Sequence, residues 1–144
     1  MKKLFVLTIA ATCLLFVQPA SATLGDVDRL MVSICDLVKN NNRSALRKKL
    51  KSANLKLRTS YNALVCQPEA DFAGGSLLRA ASFYGSTDIS KFLVRKIKKE
   101  QLTAKEHDGK SIIEWSEKAL SSGGVKDVAK TQAILADIKS KLAS

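Results

Sequence analysis

Residues 76–97 read SLLRAASFYGSTDISKFLVRKI, and how they are read decides the fold. Leu77, Leu78, Ala81 and Tyr84 fall on one helical stripe, Gly85 interrupts it, and Ile89, Phe92, Leu93 and Ile97 resume at helical spacing. The pattern predicts two short helices joined at a glycine. Neither can bury its stripe alone, so the pair needs neighbours packed on both sides. The flanking segments look like imperfect copies able to supply them, and the expectation is an all-α domain of stacked helix pairs forming a short solenoid.

Working outward, Asp26 is placed to cap a helix carrying Val27, Leu30, Met31, Ile34, Leu37 and Val38, which Asn40-Asn41-Asn42 ends. A helix over about 43–51 turns Leu46 and Leu50 inward. From 55 to 65 the signal weakens: Leu55 and Leu57 alternate with Lys56 and Arg58, and Tyr61, Leu64 and Val65 suit either a short helix or an extended segment. Pro68 and Gly74-Gly75 mark residues 66–75 as a loop. Beyond the central pair, Asp108-Gly109 predicts a tight turn before Ser111 caps a helix of Ile112, Ile113, Ser116 and Ala119, with Trp115 off its stripe. Gly123-Gly124 breaks the chain before a last helix over about 126–142, whose stripe is Val128, Thr131, Leu135, Ile138 and Leu142.

The first residues read differently. Lys2 and Lys3 precede an apolar run over 4–17, and Ala20-Ser21-Ala22 offers small residues where a signal peptidase cuts, so residues 1–22 are expected to be a cleaved signal peptide and 23–144 a single helical-repeat domain. A membrane anchor is the alternative, but a run of about 14 residues falls short of the roughly 20 needed to span hydrocarbon. The product would be exported, periplasmic or secreted. Cys13 leaves with the leader. Cys35 and Cys66 remain as the available pair in an oxidising space and are expected to form a disulfide; two buried thiols are the alternative.

Chemistry is sparse. His107 is the single histidine, beside a turn, so no histidine pair can bind metal and a catalytic triad would have to pass through it. The paired glycines lack the context of a phosphate loop, and the carboxylates are dispersed. No enzyme and no cofactor is expected. The basic residues are more suggestive. The net charge of +11 falls to +9 once Lys2 and Lys3 leave with the leader, which favours anionic neighbours. Arg43, Arg47, Lys48 and Lys51 cover one helix, and Lys91, Arg95, Lys98 and Lys99 line the outer side of another; stacked, they merge into a cationic strip. Few aromatics interleave with these cations, which disfavours nucleic acid.

Ser76-Leu77-Leu78-Arg79-Ala80-Ala81, then Gly85, Asp88-Ile89 and Lys91-Phe92-Leu93-Val94, resembles an ankyrin repeat, and Asp108-Gly109-Lys110-Ser111-Ile112-Ile113 resembles the start of the next. Ser33, Ser76 and Ser111 would mark helix starts at intervals of 43 and 35 residues, against about 33 in that family. Leu77 and Ile112 stand where the family has Pro, Arg79 and Glu114 where it has His, and Ile97 where it has Gly. The chain also resembles a group of small exported bacterial proteins of unknown function, through Cys35, Lys56-Leu57-Arg58, Cys66 and Ser76-Leu77-Leu78. The ankyrin resemblance implies a concave partner face formed by the first helix of each pair, near Arg79 and Phe83 in one pair and Glu114 and Trp115 in the next. The leading expectation is therefore an exported protein-interaction module that grips another envelope protein. The alternative is a cationic binder of anionic envelope material, either lipid headgroups at a membrane surface or polysaccharide.

Overall fold

The computed structural model of the chain describes residues 24–144. The expected leader lies outside them. The described residues contain eight α-helices: α1 (Leu24–Lys39), α2 (Arg43–Ser52), α3 (Leu57–Ser60), α4 (Leu77–Tyr84), α5 (Thr87–Lys96), α6 (Lys99–Thr103), α7 (Ile112–Ser121) and α8 (Val128–Ala143). A single 3-10 turn (Tyr61–Ala63) follows α3, and two short strands, β1 (Val65–Cys66) and β2 (Gly75–Ser76), pair antiparallel. The fold is all-α around that small ladder.

The central pair forms as its pattern predicts. Ser76 caps α4 by accepting from the Arg79 backbone N–H at 3.3 Å, and Gly85 ends it at φ +71°, a conformation a side chain resists. What differs is how much of α4 is covered. Leu77 through Phe83 are all buried, because α1, α5, α7 and α8 pack around the helix and the small residues Ala80, Ala81 and Ser82 let them approach closely. The last helix closes one side: Asp127 caps α8, Thr131 Oγ1 donates to the Ser82 carbonyl at 2.6 Å, and the Lys126 N–H donates to the Phe83 carbonyl at 2.8 Å.

Several expected boundaries move. Helix α1 begins at Leu24, so Asp26 lies in its first turn rather than capping it, and Ser33 is mid-helix rather than at a start. Val27 and Val128, assigned to buried stripes, are about half exposed, whereas Ile134 is buried. The link after Ile97 contains α6, which buries Leu102. Residues 66–75 form a hairpin rather than an open loop. Phe72 and Glu69 exchange backbone hydrogen bonds at 2.7 and 2.9 Å, and the Phe72 ring packs at 5.2 Å from Phe83 and 5.8 Å from Tyr84. That one apolar residue anchors the segment to α4. A disulfide joins Cys35 of α1 to Cys66 of β1 and so ties the weakly patterned segment after Leu55 to the first helix.

Candidate anion-binding groove

The walls of the groove are set by one asparagine. Asn41, in the left-handed region at φ +51°, turns the chain from α1 into α2, and its side-chain oxygen accepts from the backbone N–H groups of Asp88 and Ile89 at 3.1 and 3.2 Å. Those are orphan donors at the start of α5. Ser86 Oγ adds a bond of 2.6 Å to the Val38 carbonyl. The α1–α2 corner is thereby fixed to the N-terminus of α5, and α2 runs beside α5 with α3 across their far end.

Between these three helices lies a cavity of about 860 Å³. Leu50, Leu55, Leu57 and Phe92 form its apolar floor, and six cations, Arg47, Lys51, Lys56, Arg58, Lys96 and Lys98, stand around them. A neighbouring depression of about 270 Å³ is lined by Arg43, Arg47, Phe92, Arg95 and Lys96. No carboxylate lines either one. Among the described residues, the lysines and arginines with a carboxylate within ion-pair distance are Arg29, Lys39, Arg79, Lys105, Lys110, Lys126, Lys130 and Lys139, none of them from the groove.

Helix ends explain part of this clustering. Lys51 lies in the last turn of α2, and Arg95 and Lys96 in that of α5, where a cation complements the helix dipole. Arg43 is the opposite case, a cation on the first residue of α2. Its position opposes the dipole, so helix stability does not account for a cation there beside Arg47 and Arg95.

Part of the expected strip lines these depressions and part does not. Arg43, Arg47, Lys51, Arg95 and Lys98 line the two depressions; Lys48 lines neither. Lys91 turns to a depression between α5 and α8 shared with Asp137, and Lys99 Nζ donates to the Leu142 carbonyl at 3.4 Å. Lys56, Arg58 and Lys96 were absent from the strip expected from sequence. The alternation of Leu55 and Leu57 with Lys56 and Arg58 was their signal: apolar residues to the floor, basic ones to the rim.

The residues expected on an exposed partner face lie elsewhere. Arg79 is 1% exposed and Phe83 3%, because the hairpin, the 104–110 segment and α8 cover the side of α4 that a repeat stack would leave open. Arg79 Nε lies 3.0 Å from Glu106 and its Nη2 donates to Asp108 at 2.8 Å and to the Lys110 carbonyl at 2.7 Å, with the guanidinium 5.5 Å above the Trp115 ring. Glu106 in turn accepts from the Ser76 N–H and hydroxyl at 2.9 and 2.8 Å. Hydrogen bonding from Arg79 holds the Asp108 carboxyl down at about 2, against desolvation that pushes the other way. A Cβ at Gly75 would sit 2.7 Å from Arg79 Cδ, so the bare glycine belongs to this packing. Trp115 is half-buried beneath Arg79, and Glu114 is exposed but engaged, closing a capping box with Ser111 and pairing with Lys105.

His107 is exposed beside the turn that Gly109 completes at φ +73°. Among the described residues no group of three or more His, Cys, Asp or Glu side chains is placed to hold a metal ion, and no helix is long and apolar enough to cross a membrane. Residues 34–107 match the model of a family described as a protein of unknown function (DUF3718). The matched span runs from the middle of α1 to the 106–109 turn and includes every residue of the groove and both cysteines of the disulfide. No curated protein and no solved structure matches the chain.

Proposed function

The chain belongs to the DUF3718 family of proteins of unknown function, and from that premise we propose that it is an exported, non-enzymatic protein that binds an anionic envelope component in the groove between α2, α3 and α5. The observation that carries this reading is the set of unpaired cations around one concavity with no carboxylate among its lining residues. Cations that serve the fold here, such as Arg79, are matched by carboxylates. Those of the groove are left for something else. A partner face on α4 and α7 is less favoured, because Arg79 and Phe83 are buried and Glu114 is already engaged.

Export is supported by the Lys2-Lys3 start, the apolar run and Ala20-Ser21-Ala22, and by the Cys35–Cys66 bridge, since disulfides persist in oxidising compartments. The pair α4–α5, with Ser76 and Gly85 at its cap and turn, and α7, capped by Ser111, support reading these helices as divergent ankyrin-like units. The same bridge and the Lys56-Leu57-Arg58 stretch support kinship with small exported two-cysteine proteins.

The test is retention on an anionic matrix at rising ionic strength. Surface charges are screened beyond about 8 Å at physiological salt, so wild type should elute with moderate salt. A variant with Arg47→Glu, Lys51→Glu and Lys96→Glu should lose retention while still melting cooperatively, at a somewhat lower temperature because two of the reversals fall in the last turns of α2 and α5. Equal retention of this variant and of one reversed at Lys118, Lys130 and Lys139 would reduce the effect to net charge and sink the groove as a site.

A further inference from the structure

The groove is more than a charged patch, because its floor is apolar. Leu50, Leu55, Leu57 and Phe92 meet beneath the cations. Building on the anion-binding reading above, we infer that its occupant is a single anionic amphiphile, with an apolar chain lying on this floor and a phosphate headgroup held at the rim.

Three features favour that chemistry over an acidic polysaccharide. An acidic polysaccharide is met by basic residues alone and gains nothing from an apolar floor, whereas here Leu50, Leu55, Leu57 and Phe92 lie beneath the cations and the lining offers only Asn54 and Thr59 as neutral polar side chains. The cavity of about 860 Å³ lies within the range of small-molecule sites, about 300–1,000 Å³. It is concave and bounded by three helices rather than a continuous track. Finally, Arg47, Lys51, Arg58 and Lys96 carry long apolar stems that can lie along a bound chain while their charged ends stay at the mouth. The forked donors of Arg47 and Arg58 suit a phosphate in particular. Charge complementarity selects the head, and the floor selects the tail.

The experiment compares two probes with the same head by calorimetric titration of the disulfide-bonded mature chain: myristoyl lysophosphatidic acid below its micellar concentration, and glycerol phosphate. Burying as few as two methylenes is worth about a tenfold gain, so the chain-bearing probe should bind at least about tenfold tighter. Salt should weaken both probes and leave their ratio largely intact. Leu55 is half-buried, and Leu55→Gln, which removes apolarity, or Leu55→Trp, which fills the groove, should collapse the ratio; two variants guard against one that fails to fold. Equal, salt-sensitive binding of both probes would overturn the amphiphile and leave the anion-binding groove standing. So would heparin binding that is indifferent to Leu55→Gln in a protein that ignores the amphiphile. Loss of all these together with the matrix retention would overturn both readings.

Discussion

Arg79 and Arg47 are the same side chain in opposite circumstances. Arg79 lies 1% exposed on the central helix, held by two carboxylates, a backbone carbonyl and the face of Trp115. Arg47 stands on the wall of an open groove among other cations, with no carboxylate in reach. Removing a charge from water is offset only when partners replace the lost hydration. At Arg79 the chain supplies those partners. At the groove it supplies none, so the cations stay hydrated and available, and the difference separates charge that builds the fold from charge that faces outward.

Replacing the two residues separately is the most direct way to break this comparison. Arg79→Ala leaves Glu106 without its cation and Asp108 with only the more distant Lys110, at 3.8 Å, and opens space beside Trp115. The expected loss is about 3–5 kcal/mol, as for a broken buried pair. Arg47→Ala should change stability by less than about 0.5 kcal/mol. Urea unfolding monitored by circular dichroism gives both, and comparable losses would mean that the groove arginine is structural after all.

The disulfide couples the two regions. Cys66 pairs with Gly75, which abuts Arg79, and the segment that leads to Cys66 carries α3, the end wall of the groove. A bridge across 31 residues is worth about 3.7 kcal/mol in the chain-entropy model. Cys35→Ala with Cys66→Ala should therefore lower stability by up to about that much, and should weaken anion binding more than the Arg47→Ala change weakens folding. Retained stability after reduction would show that Phe72 and Tyr61 hold the segment without the bridge.

How much of this was legible beforehand follows from the range of the interactions. The α4–α5 pair, the Asp108-Gly109 turn and the Ser111 cap are local, set by residues three or four apart, and sequence spacing exposes them. The burial of Arg79 depends on Glu106 and Asp108, 27 and 29 residues further along, and nothing in the helical period of α4 signals them. An arginine off the apolar stripe reads as exposed unless its partners are known. Phe72 was similarly hidden: a lone aromatic in a Pro- and Gly-rich stretch carries no period. The cations were visible as a strip, but their concavity was not, because Asn41 fixes α2 to α5 through side-chain bonds across 47 and 48 residues.

Acid offers a smaller and more selective probe of the Arg79 side. Asp108 titrates at about 2 in the folded chain against an ordinary value of 3.8, principally through its hydrogen bond from Arg79. A depressed carboxyl stabilises fully above its unfolded value, and that contribution is lost as the pH falls from about 4 toward 2. The shift corresponds to roughly 1 kcal/mol after allowance for the partial exposure of the carboxylate. The difference in urea midpoint between wild type and Asp108→Asn should shrink across this window. Arg79→Ala should flatten it, and groove variants should not. A pH-independent difference would detach Asp108 from the guanidinium.

The smallest expected effect has the opposite sign. Unpaired cations held close together repel one another, so the groove should be a mild liability to the fold at low salt. Lys96 is a poor place to look for this, because in the last turn of α5 its charge also complements the helix dipole. Arg43 and Arg47 are better. Arg43 opens α2, where a cation opposes the dipole, and both line the same depression as Arg95 and Lys96. Arg43→Gln with Arg47→Gln removes repulsion and an unfavourable end charge while keeping two long polar side chains with good helix propensity. The double variant should be more stable than wild type by about 0.5 kcal/mol at low ionic strength, a rise of roughly 2 °C in melting temperature for a domain of this size. The gain should disappear in high salt, where screening removes the repulsion from the wild type as well. The same variant should hold anions less well, so stability and binding would move in opposite directions, as expected where residues are kept for a ligand rather than for the fold. A double variant less stable than wild type at low salt would show that these arginines support the structure, and the contrast with Arg79 would fail.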